Sequence, residues 1–204
     1  MSTLLETVGN AVCWGVVVAV WVAGAFYNAA HSPRRRTRRQ GSPLLIAAAL
    51  ACAGLAAAGQ GLWRDADVRA LWVQILGLVV LVASTGFTLW ARFSLGTMWS
   101  WDPVVRDHHQ LRTDGPYAVT RHPIYTGLIG MLLGTTLLSG IGKWVVLVPA
   151  AVIVLELKIR VEERLMLATF PEEYPRYRRQ VPQLVPGLFA GRRHHAVGSE
   201  PRPS

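Results

Sequence analysis

At 204 residues the chain has room for one domain, and its composition is that of a protein partitioning into lipid: 51% hydrophobic residues, only 16% charged, and a mean hydropathy of +0.31. A net charge of +9 raises nucleic acid as a partner, but the basic residues stand in short stretches beside apolar runs instead of covering a soluble face. That pattern argues against nucleic acid and for topology and anionic headgroups. Cys13 and Cys52 both lie inside apolar runs, which indicates small buried hydrophobes, with neither a disulfide nor a metal pair.

In chain order, the first apolar run, about Val8 to Ala30, has roughly the ~20 residues a helix needs to cross a bilayer. It lacks a basic leader and is followed by Arg34, Arg35, Arg36, Arg38 and Arg39, so a retained span with a cytoplasmic flank is expected. A second run, Pro43 to Trp63, is rich in Ala and Gly, and a third extends from Leu71 to Ala91. The stretch Arg92–His122, with Trp99, Trp101, His108, His109, Arg112 and Asp114, suits a partly helical interfacial segment. His108 and His109 are adjacent and cannot share a helix face, so no metal site is expected there. A fourth span, Ile124 to Leu138, carries Thr126, Gly130 and Gly134 as a ridge for close helix approach, and a fifth runs from Trp144 to Leu157.

Five spans place eighteen Lys and Arg inside and leave only Arg64, Arg69 and Lys143 outside, which orients the N-terminus outward and the C-terminus to the cytoplasm. The expected fold is therefore all-α: a single transmembrane domain over residues 1–189, an integral membrane helical bundle, with a disordered tail at 190–204. The excess of Arg over Lys and the abundance of Ala point to a prokaryotic cell membrane.

Chemistry concentrates where the polar stretch turns into the fourth span. Pro123 suits a first helical turn, which puts His122 just before the helix and lets Arg121, His122 and Tyr125 approach one another on one side. Backbone N–H groups and a fixed cation there favour an anion; the same residues also suit snorkelling and an aromatic belt, and spacing leaves both open. Past the fifth span, Glu156, Arg160 and Glu163 share a helical face, either as intrahelical ion pairs or as carboxylates for a cationic ligand. Facing the anion-favouring start of the fourth helix, they would suit a zwitterion such as the amino-acid end of S-adenosylmethionine. No GxGxxG follows a strand, so a Rossmann-type cofactor domain is not expected.

Two blocks carry a resemblance. Gly115-Pro116-Tyr117 followed by Arg121-His122-Pro123-x-Tyr125-x-Gly127, then Arg160-x-Glu162-Glu163-x-Leu165 with Phe170, Tyr174, Tyr177, Val181, Pro182 and Pro186, resemble the isoprenylcysteine carboxyl methyltransferase and phospholipid methyltransferase superfamily. The resemblance covers about 93–186 and implies an S-adenosylmethionine-dependent membrane methyltransferase with a cytosolic cofactor pocket. It implies cofactor contacts from Tyr117, Arg121, His122, Tyr125, Glu162 and Glu163. It implies acceptor contacts from Arg160, Tyr174 and Tyr177, with Arg160 and His122 as catalytic candidates. Pro171 stands where members usually carry Gly.

The partners expected are a lipophilic acceptor (an isoprenylcysteine-like or other lipid carboxylate, thiol or amine) and membrane lipids, with no nucleic acid and no metal. Two further readings fit the residues. One is an NADPH-dependent membrane sterol- or lipid-type reductase, whose C-terminal helices and Arg-His-x-x-Tyr element are similar; the other is a non-catalytic membrane protein.

Overall fold

A computed structural model describes residues 2–31, 35–36, 70–96, 105–106, 111–140, 142 and 144–185. The expected second span, the tail at 190–204, and Trp99, Trp101, His108 and His109 lie outside the described residues. Five helices are seen among the described residues: α1 (Ser2–His31), α2 (Leu71–Leu95), α3 (Pro123–Ser139), α4 (Trp144–Thr169) and α5 (Glu173–Gln180). A 3-10 turn at Gly115–Ala118 precedes α3, and two-residue strands, β1 (Arg35–Arg36) and β2 (Val105–Arg106), pair antiparallel. Among the described residues the regular structure is otherwise helical, as the apolar runs require.

Two of the five expected spans meet the length and apolarity of a membrane crossing among the described residues, Thr3–Asn28 and Leu71–Leu95. Helix α3 is apolar but has 17 residues, or about 25 Å at the α-helical rise, short of a ~30 Å hydrocarbon core. Helix α4 is one continuous 26-residue helix whose second half carries Glu156, Lys158, Arg160, Glu162 and Glu163. The fifth apolar run and the charged segment after it are thus a single helix, which carries the charges away from its apolar N-terminal part.

Helices α2 and α3 are packed at backbone distance. A Cβ built on Gly77 would lie 2.5 Å from Leu138 N, and one on Gly134 2.5 Å from Leu81 N, while one on Gly127 would collide with Thr88 Oγ1. The ridge on α3 therefore runs through Gly127, Gly130 and Gly134. Thr126, expected on it, is turned away and donates instead to Leu184 O (2.6 Å). Helix α1 closes the bundle through Cys13 and Val17 against Leu81, Met131 and Leu138. Asn10 donates to Ser139 Oγ and accepts from Thr135 Oγ1, which in turn accepts from the Trp14 indole. Apolar packing offers little drive between helices in lipid, so close backbone approach and such polar bridges supply the association.

Gly9 approaches Leu78 and Gly24 approaches the Arg92 guanidinium, so α1 and α2 run the same way and α3 runs against both. The C-terminal ends of α1 and α2 and the start of α3 therefore lie at one end of the bundle. The C-terminal segment packs there too. Tyr174, Tyr177 and Val181 are buried together against Leu111, Met166, Leu167 and Phe170. Pro171 falls in the turn between α4 and α5, and Pro175 in the first turn of α5, where a missing N–H costs no helical hydrogen bond.

Candidate functional site

The site is assembled from the start of α3, the second half of α4, and the segment after α5. Residue His122 is the N-cap of α3 and Pro123 its first residue, as the sequence requires of a proline that must not interrupt a helix. Upstream, Gly115 turns the chain with φ +57, a conformation that costs an L-residue about 1–2 kcal/mol. That turn brings Tyr117 into the interior, where its carbonyl accepts from the Tyr177 hydroxyl (2.7 Å).

Across from α3, successive residues of α4 take different partners. Glu163 accepts from Arg121 through Nε (3.0 Å) and Nη2 (2.9 Å), with both side chains about nine-tenths buried. Glu162 accepts from the Tyr125 hydroxyl (2.5 Å). Between them lies the His122 ring, with Nδ1 3.7 Å from Glu162 Oε2 and Nε2 3.5 Å from Glu163 Oε1. It stacks on Tyr125 at 5.8 Å between centroids and 12° between planes. At 3.5 Å the His122 Nε2 contact with Glu163 is longer than a good hydrogen bond, and that buried nitrogen has no hydrogen-bond partner among the described residues. Arg121, His122, Tyr125, Glu162 and Glu163 are thus brought into one cluster from positions some forty residues apart in the chain.

Burial alone would raise the Glu163 carboxyl, but contact with His122 and the charges of Arg121, His122 and Arg178 outweigh it and hold the group below its ordinary range. Burial pushes Tyr117, Tyr174 and Tyr177 up, with Glu162 and Tyr177 adding to the effect at Tyr117 and Glu163 adding to it at Tyr174 and Tyr177. All three phenols are accordingly neutral at ordinary pH.

The other predicted residues are placed differently. Tyr174 and Tyr177 are buried behind the cluster as packing groups. Arg160 stays outside it, largely exposed, and bonds Glu156 one turn back (3.0 Å), so this part of the shared face is an intrahelical pair. Glu156 also accepts from Gln183 Nε2 (2.6 Å).

Two site residues were not singled out from sequence. Lys158 sits 5.6 Å over the Tyr125 ring and 3.9 Å from Glu162 Oε1, and Arg178 lies 3.5 Å from Glu163 Oε2. The i, i+4 spacing of Lys158 and Glu162 was a usable signal; nothing local marked Arg178. Two N–H groups just before α3 are used within the chain, Arg121 N donating to Pro182 O (2.9 Å) and His122 N to Gln183 O (3.2 Å).

A family model described as phospholipid methyltransferase matches residues 72–173, half of the chain. The chain belongs to the phospholipid methyltransferase family. The matched region holds α2, α3, α4 and all five residues of the cluster, and it ends just before Tyr174.

Similar proteins include the cobalt-zinc-cadmium resistance protein CzcN of Cupriavidus metallidurans, 29% identical over 131 residues, covering 64% of this chain and 56% of that protein. A protein-S-isoprenylcysteine O-methyltransferase of Schizosaccharomyces pombe is 35% identical over 81 residues, 38% of this chain and 34% of that protein. Methanethiol S-methyltransferase 2 of Bradyrhizobium diazoefficiens is 38% identical over 82 residues, 40% of this chain and 31% of that protein. The chain thus spans from about a third to just over half the length of these relatives. Among solved structures, the eukaryotic intramembrane Ras methyltransferase ICMT shares the fold, with a TM-score of 0.56 at 23% identity over 74% of this chain and 55% of that one.

Proposed function

We propose that this family member is an S-adenosylmethionine-dependent methyltransferase acting on a lipophilic acceptor at the cytosolic face of a membrane, with five spans, the N-terminus outside and the C-terminus inside. The observation that carries the reading is the half-buried cluster of His122, Tyr125 and Glu162, with the Arg121–Glu163 pair behind it, at one end of an apolar bundle. The donor set fits the cofactor: carboxylates suit its ammonium and sulfonium, Lys158 and Arg178 suit its carboxylate, and the buried His122 Nε2 has no hydrogen-bond partner among the described residues. When bound, S-adenosylmethionine would supply a methyl group already activated on sulfur.

The protein's part is then orientation and exclusion of water. Tyr125 holds Glu162 by its hydroxyl, and the stacked His122 fixes the ring, so the carboxylate is aimed before any ligand arrives. A carboxylate acceptor would need no base. A thiol, amine or hydroxyl would lose its proton, for which His122 or Glu162 stands within the cluster. Arg160, exposed and tied only to Glu156 among the described residues, can turn its remaining donors to an anionic acceptor at the rim.

The test is calorimetric titration of the detergent-purified protein with S-adenosylhomocysteine and, separately, NADPH. Saturable binding of the first that Glu162→Gln weakens, with none of the second, is expected. Binding of NADPH alone would turn the reading to a reductase, and a folded protein that binds neither would leave a non-catalytic role.

A further inference from the structure

Arg121 has five N–H donors, and four of them are already engaged by the chain. Nε and Nη2 go to Glu163 Oε1, and Nη1 reaches two backbone carbonyls, Arg178 O and Val181 O, each at 3.0 Å. Those carbonyls belong to the C-terminal end of α5, where the last helical C=O groups lack partners of their own. The guanidinium therefore caps α5 with one edge and grips α4 with the other. It is 8% exposed, so an incoming carboxylate would meet a cation that is both covered and nearly saturated.

The segment beyond α5 is fastened along the same line. Arg121 N donates to Pro182 O, while His122 N and Thr120 Oγ1 both donate to Gln183 O. Thr126 Oγ1 donates to Leu184 O, and Gln183 Nε2 ties the segment to Glu156 on α4. Residues 181–184 thus form a strap across the start of α3, and every bond named uses a strap group that has no helix or sheet to satisfy it. The strap lies beyond the region matched by the family model.

The structure assigns Arg121 the role of a positioning residue: with Glu163 it latches the 181–184 strap over the start of α3, and contact with the cofactor falls to His122, Tyr125 and Glu162, with Lys158 and Arg178 for its carboxylate. This rests on the methyltransferase reading for the identity of the ligand, though the latch itself does not. A planar fork serving three acceptors on two sides is a geometry that lysine cannot reproduce.

The experiment compares two nucleosides, S-adenosylhomocysteine and 5′-methylthioadenosine, which lacks the amino-acid end. If Arg121 is a latch, Arg121→Met weakens both by the same factor, about tenfold for the loss of charge-assisted bonds. If it holds the ligand carboxylate, only S-adenosylhomocysteine weakens, which overturns the assignment, as would no change in either. Arg121→Lys restores the charge beside Glu163 but not the cap on α5, so the latch predicts no rescue; full rescue would show that charge alone matters.

Thr126→Val/Gln183→Ala loosens the strap without touching Arg121 and should reproduce the equal loss, which keeps the question decidable should Arg121→Met fail to fold. Unaltered affinities in that double variant would count against the strap.

Hydrogen exchange in the ligand-free protein provides a reading that does not depend on the cofactor. Peptides containing the His122 amide and α5 should exchange at least about tenfold faster in Arg121→Met or in the double variant than in wild type. Failure of both nucleosides to bind wild type would defeat the methyltransferase reading alone; unchanged exchange would defeat the latch.

Discussion

A methyl group added to the α2–α3 seam should have an effect whose sign depends on position. In Gly134→Ala the new Cβ would lie 2.5, 2.7 and 2.8 Å from Leu81 N, Cα and Cβ. None of these atoms can swing aside, because two are backbone and the Leu81 side chain is fully buried. Ordinary contact begins at 3.4 Å, so the helices must part by most of an ångström. Overpacking of this kind costs about 1–3 kcal/mol, and the rigid neighbour puts Gly134 at the upper end. Alanine returns up to about 1 kcal/mol of helix propensity, leaving a net loss of about 2 kcal/mol.

Gly86 lies on α2, the other helix of the seam, but faces outward with nothing within 4 Å among the described residues, so Gly86→Ala keeps only the propensity gain and should stabilise by up to about 1 kcal/mol. Gly130 falls between, since its Cβ meets only the Ser84 side chain, which can rotate. Thermal unfolding in one detergent, followed by tryptophan fluorescence, ranks the three. The reasoning fails if Gly134→Ala is as stable as Gly86→Ala, because the backbone contact would then not exist.

Tyr125→Phe keeps the stack on His122 and removes only the hydroxyl that Glu162 accepts. Glu162 retains some exposure to water, so stability should fall by about 1–2 kcal/mol, with a several-fold loss of S-adenosylhomocysteine affinity by calorimetry. Glu163 is held below its ordinary range, so its stabilising contribution is complete above the unfolded carboxylate value of about 4.3 and drains away as pH falls through the lower folded value. Unfolding midpoints measured from pH 6 downward should therefore drop more steeply in wild type than in Glu163→Gln, and parallel curves would contradict the pairing with Arg121. Gly115→Ala meets no atom nearer than 3.7 Å, so its expected cost, about 1–2 kcal/mol in the same unfolding assay, comes from φ +57 alone.

The sequence by itself carried helices α1 to α4 and the neighbourhood of the site. Pro123 could only open a helix, which placed Arg121 and His122 at its mouth, and the break from apolar Leu155 to charged Glu156 located the polar half of α4. These are local properties, set by backbone geometry and the 3.6-residue period. Partner choice was not legible in the same way. Arg121 and Glu163 are 42 positions apart and Gln183 and Glu156 are 27 apart, and no periodicity says which carboxylate a distant cation will meet.

The ridge on α3 shows how fine the difference is. Thr126 and Gly127 are neighbours, but one residue is about 100° of helix rotation, enough to send Gly127 into the seam with Thr88 and Thr126 out to the strap. That rotation is decided by which face of α3 lets two backbones touch. The Arg121 and His122 N–H groups at the start of α3 likewise read as open to an anion until tertiary structure laid residues 181–184 across them, because a backbone N–H donates to whichever carbonyl the fold brings within reach.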